Sequence, residues 1–130
     1  MGNLWISIKG PYLIGDFKRG VATIDNPEED SMGHEIVDLA GKQALGYVIP
    51  LGPVNLVVVV TDKGMVGCGA IDVAALNSFG YPAARVRSAK GGSISSIEDL
   101  LAGIIKEANP AAEKMGVRTG MTGREALDLL

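Results

Sequence analysis

The residues of this chain best suited to chemistry lie between a strand signal and a helix signal. Cys68, the single cysteine of the 130-residue sequence, sits between Gly67 and Gly69, and Asp72 follows four positions later. A thiol flanked by glycines can approach backbone amides, and such surroundings favour the thiolate needed for nucleophilic attack. The carboxylate of Asp72 opposes a second negative charge nearby, and the lone His34 is far away in sequence. The simpler reading makes Cys68 a small apolar residue packed at a strand end, and Asp72 the cap of an Ala-rich helix. Cys68 and Asp72 are thus the catalytic candidates, with His34 as a supporting group if the fold brings it close.

A second group of candidates could hold an anion. Arg85 and Arg87 are two apart on a strand signal and so share one face. With Lys90 and the Gly91-Gly92-Ser93 loop they suit a phosphate or carboxylate, because guanidinium and backbone amides both donate to such groups. The simpler alternative is a solvated face paired with Glu98 or Asp99, which contributes little. Asn77 either caps the end of its own helix or reaches the Cys68 turn. Thr122-Gly123-Arg124 opens a helix, where Glu125 already fills the anion position of a capping box. The glycine spacing fits neither a P-loop nor a dinucleotide fingerprint.

Composition bounds the function classes. Hydrophobic residues make up 47%, charged residues 21%, and the net charge is −3. That balance suits a single globular domain and gives no reason to expect nucleic-acid binding. Aromatic residues are only 5%, too few for base-stacking platforms. One cysteine and one histidine fall short of a zinc set, so no metal or other cofactor is expected. The lone cysteine fits a reducing, cytoplasmic setting, and no apolar run is long enough to span a bilayer.

The elements that must position these residues come next. Residues 1–33 carry weak strand signals and an acidic, proline-containing stretch from Asp25 to Gly33, and read as an extension or as edge strands. A hairpin is expected around Ala40-Gly41-Lys42, with a return strand from Ala44 to Ile49. Leu56 to Val60 is five branched apolar residues in a row, the pattern of a strand covered on both faces. Asp62-Lys63-Gly64 turns the chain into Met65 to Ala70. Asp72 caps a short helix that stops at Gly80. Ala83 to Arg87 is a further strand. Ser95-Ser96-Ile97-Glu98 opens a helix whose face runs through Leu100, Leu101, Ile104 and Ile105. Asn109-Pro110 starts another, and Thr122 the last. The expected fold is α+β: a mainly antiparallel sheet of four to five strands with three to four helices on one face. The second face of the valine strand then needs a cover, which a second copy would supply as a dimer or tetramer.

Cys68-Gly69-Ala70-Ile71-Asp72-Val73, with Leu76-Asn77 following, resembles the YunC-like family. The likeness extends back through Asn55-Leu56 and Asp62-Lys63-Gly64. It runs forward through Arg85 and Ile97-Glu98-Asp99-Leu100-Leu101 to Gly120-Met121-Thr122-Gly123-Arg124-Glu125-Ala126-Leu127. It covers residues 34–130. The resemblance implies an α+β domain whose N-terminal β region takes part in tetramer formation, and it implies no reaction. Residues 1–31 have no counterpart in the family pattern, and Ser88 to Ser93 is longer than the usual connection. Three functions follow as expectations: a homo-oligomer binding a small anionic metabolite, a cysteine-dependent enzyme using Cys68, or a structural and protein-interaction module.

Overall fold

The computed structural model describes residues 34–130. The expected extension at residues 1–33 lies outside the described residues. Among the described residues six strands form one sheet: β1 (His34–Leu39), β2 (Lys42–Pro50), β3 (Asn55–Val60), β4 (Met65–Gly67), β5 (Ala83–Arg87) and β6 (Ile104–Ala108). Four helices join them: α1 (Val73–Asn77), α2 (Ile97–Ala102), α3 (Pro110–Glu113) and α4 (Gly123–Leu129). The class is α+β, with one more strand than the upper expectation.

Spatial order repeats chain order, β1-β2-β3-β4-β5-β6. All neighbours run antiparallel except β4 and β5, which are parallel. A parallel pair cannot be closed by a tight turn, so residues 68–82 cross over a face of the sheet and carry α1 with them. The antiparallel joints use short turns; Gly41 opens the first with φ 75°.

The additional strand is β6. Sequence periodicity extends the α2 helix through Ile105, but Gly103 ends it with extended backbone (φ −69°, ψ 172°). A side chain at Gly103 would come within 2.9 Å of the Arg87 carbonyl oxygen, so this closely packed junction requires glycine. Two β-branched residues, Ile104 and Ile105, then favour the sheet over a continued helix. At the other end of α2, Ser96 accepts from the Asp99 amide, and Asp99 in turn accepts from the Ser95 backbone amide and hydroxyl. Those bonds, the backbone one first, hold the Asp99 carboxyl below the usual aspartate range.

Among the described residues, the buried apolar side chains fall into two clusters. The larger holds Val57, Val59, Val66, Ala84, Val86 and Ile105 of the strands, together with Ile97, Leu100, Ala126, Leu127 and Leu130. The smaller holds Met65, Val73 and Ala83, flanked by Val58, Val60, Leu76 and Tyr81. Neighbouring strand residues such as Met65 and Val66, or Ala83 and Ala84, fall into different clusters, so the clusters lie on opposite faces. The expectation of helices gathered on one face therefore does not extend to α1, because the β4–β5 crossover carries it to the other side. Burial in that smaller cluster pushes the Tyr81 hydroxyl pKa up.

The α1 face is covered unevenly. Val57 and Val59 on the opposite face are fully buried, whereas Ile36 and Leu45, an opposed cross-strand pair on the α1 face, are 56% and 39% exposed. Tyr47, Ile49, Val58 and Val60 on that face are partly exposed. A groove of about 380 Å³ runs between Ile36, Leu45, Val60 and Asp62.

Candidate functional site

Gly67 and Cys68 are placed by a turn folding back onto β4. The Ile71 amide donates to the Cys68 carbonyl (3.2 Å), and the Ile71 side chain lies over Gly67 where a Cβ would sit. The Cys68 amide donates to Val57 (2.9 Å), so the thiol residue stays tied to β3. Cys68 itself is 5% exposed and belongs to the larger core cluster. His34 lies in a row with Tyr47, Val58 and Gly67 across four strands. At about 4.8 Å per strand spacing, that row is roughly 14 Å long. The structure therefore keeps His34 away from the Cys68 turn.

Arg85 does meet that turn. It projects from β5, donates through Nη1 to the Gly69 carbonyl (3.0 Å) and through Nε to Glu107 Oε1 (2.8 Å). A polar-lined cleft of about 280 Å³ is formed by Gly69, Ala70, Ile71, Asp72, Arg85 and Glu107. It opens beside the C-terminal end of β4, where the parallel pair leaves room between a crossover and its neighbouring strand. Asp72 caps α1 by accepting from Ala75 (3.0 Å) through one oxygen.

Glu107 reaches Arg85 because of an irregularity in β6. Arg85 opposes Glu107 but the next residue, Val86, opposes Ile105, so Lys106 is an extra residue on that strand. In a regular strand Ile105 and Glu107 would share a face. The bulge separates them: Ile105 enters the core at 2% exposure, and Glu107 turns to the cleft. Sequence reasoning missed Glu107 because the segment reads as helix. The Ile104-Ile105 pair directly after Gly103 was the available signal.

The other candidates stand apart from the cleft. Asn77 accepts from the Ala111 amide (3.0 Å) and fastens α1 to α3. Arg87 is exposed at the end of β5. Lys90 lies in a turn held by Ser88, whose hydroxyl donates to the Gly91 carbonyl (2.8 Å) and accepts from the Lys90 amide (3.2 Å). Among the described residues, no group of three or more His, Cys, Asp or Glu side chains is placed to hold a metal ion. Among them also, no helix is long and apolar enough to cross a membrane.

Comparison with known proteins places these features in a family. The profile named Domain of unknown function (DUF1805) matches residues 67–130, from the end of β4 through α4. The uncharacterized protein YunC of Bacillus subtilis (strain 168) is 32% identical over 89 residues, covering 68% of this chain and 87% of that protein. The chain belongs to the YunC-like family. A crystal structure of TA1206, a protein of unknown function from Thermoplasma acidophilum, has the same fold, with a TM-score of 0.65 and 26% identity. That likeness covers 74% of this chain and 93% of the other. The matched family region holds every residue lining the cleft, from Gly69 to Glu107.

Proposed function

We propose that this YunC-like protein is a cytoplasmic homo-oligomer that binds a small metabolite with an anionic group in the cleft between the β4–α1 turn and Arg85. The observation that carries the ligand reading is Arg85 itself. Its guanidinium stands in the cleft, held by Gly69 and Glu107, with Nη2 left to donate to a carboxylate or phosphate. At about 280 Å³ the cleft suits a molecule of few heavy atoms. The burial of Cys68 favours this reading over cysteine-dependent catalysis. Thermal-shift and calorimetric screening against carboxylates and phosphosugars tests it. A binder whose heat signal disappears in Arg85→Ala is the expected result; a binder that tolerates that variant places the ligand elsewhere.

Self-association is supported by the open face of β1–β3. Among the described residues this apolar face is covered over β4 and β5 and open over β1–β3, and a face of that kind can pair with its own copy across a twofold axis. The family resemblance implies tetramer formation through this same N-terminal β region. Ile36 and Leu45 are exposed in the protomer, so Ile36→Glu with Leu45→Glu leaves the fold intact while placing charges in the interface. Each apolar side chain contributes about 1.5–3 kcal/mol when buried, so the double variant weakens association by more than about 100-fold. Sedimentation at micromolar concentration should show an oligomer for the wild type and a monomer for the variant. A monomeric wild type would mean that another segment or another protein covers the face.

A further inference from the structure

The charge balance of the cleft narrows the class of ligand. Its lining carries one guanidinium, from Arg85, against two carboxylates, from Asp72 and Glu107. Arg85 already commits Nε to Glu107 and Nη1 to Gly69, and Asp72 commits one oxygen to the Ala75 amide. Nη2 and the second oxygen of each carboxylate remain. A simple anion would approach one cation flanked by two negative groups, which offsets much of its attraction to Arg85. A ligand with an ammonium group as well as a carboxylate complements all three.

We propose that the cleft takes a small zwitterion of amino-acid size. Its ammonium group donates to Glu107 and Asp72, and its carboxylate accepts from Arg85. This rests on the reading of the cleft as the ligand site and adds the positive end of the ligand to it. The bulge at Lys106 is an independent observation in its favour. It breaks the ladder between β5 and β6 at Arg85, and in doing so turns a carboxylate toward the cleft while Ile105 stays in the core. Packing alone requires only Ile105 in place. Glu107 is 45% exposed at its side chain and Arg85 27%, so both can exchange part of their mutual contact for a ligand.

NMR titration of the full chain with glycine or β-alanine, methylammonium, acetate and inorganic phosphate tests the inference. The zwitterions are expected to shift the Gly69 and Ala70 amides and the Arg85 side-chain Nε–H signal. Methylammonium and acetate, each with only one of the two charged ends, are expected to bind about tenfold more weakly. Glu107→Gln should lose the response to zwitterions while its remaining spectrum is unchanged. Acetate or phosphate binding as tightly as β-alanine, and more tightly still in Glu107→Gln, would overturn the zwitterion and leave an anion site. Cleft signals that respond to none of the probes would overturn both the zwitterion and the cleft as a ligand site.

Discussion

Replacing Asn109 by alanine is expected to destabilise the domain by about 3–5 kcal/mol. The side chain is 2% exposed and joins three elements. Nδ2 donates to the Val73 carbonyl (2.9 Å) and to the Tyr81 carbonyl (2.9 Å). Oδ1 accepts from the Ala83 amide (3.1 Å) and from the Ala112 amide (2.9 Å), the second of which caps α3. Alanine removes all four bonds and leaves buried backbone groups without partners, at about 1–3 kcal/mol for each group that water cannot reach. The loss of the cap alone is about 1 kcal/mol. In thermal unfolding of a domain this size, each 1 kcal/mol lowers Tm by about 4–8 °C, so a fall of more than roughly 12 °C is expected. Asn109→Asp keeps the acceptor half and loses both donors, and should fall between wild type and alanine. A change under 1 kcal/mol for the alanine variant would show that these bonds are replaced by water.

Gly123→Ala should also destabilise, by about 3 kcal/mol, against the sign that helix propensity gives. Gly123 is the first residue of α4, where alanine ordinarily improves helix stability by up to about 1 kcal/mol. Here an added Cβ would fall on the carbonyl oxygen of Leu100, a backbone atom that cannot rotate away. The Gly123 amide donates to Gly103 (2.9 Å), so α4 cannot retreat without breaking that bond. Forced overpacking of this kind costs about 1–3 kcal/mol, and rigid backbone puts it at the upper end. Gly46→Ala provides the comparison: its Cβ would press mainly on the Ile97 Cδ1 atom (2.5 Å), the end of a side chain that can turn. Urea unfolding of both variants checks the order, and a stabilised Gly123→Ala would show that the α2–α4 contact yields readily.

Local chemistry made much of the fold legible in the sequence. The Asp72 cap, the Asn109-Pro110 start and the Thr122–Glu125 capping box are formed by side chains within one turn of the groups they satisfy, so no tertiary knowledge is needed to see them. The turn at Gly41 and the stop at Gly80 are equally local, both with positive φ. What escaped the sequence depends on distant partners. Strand β6 is fixed by pairing with β5 and by the close contact of Gly103 with Arg87, neither of which appears in the periodicity of Leu100, Leu101, Ile104 and Ile105. Glu107 was lost with that strand. Arg85 was legible as a candidate and the Cys68–Asp72 turn as its surroundings, but Glu98 and Asp99, near in sequence, stood in for the true ion-pair partner. Asn109 was legible as a cap and illegible as a tie between α1, β5 and α3, since its three other bonds reach 26 to 36 residues away.

A sheet whose strands lie in space in the order they occur along the chain can be laid down progressively during synthesis. Each strand emerging from the ribosome finds its neighbour already in place, and the two long connections, residues 68–82 and 88–103, close between consecutive strands. The helix that seals the principal core, α4, emerges after all six strands. Until Leu127 and Leu130 dock, that oily surface of a half-built chain stays wet, so the nascent protein passes through its most adhesive state with its sheet already assembled.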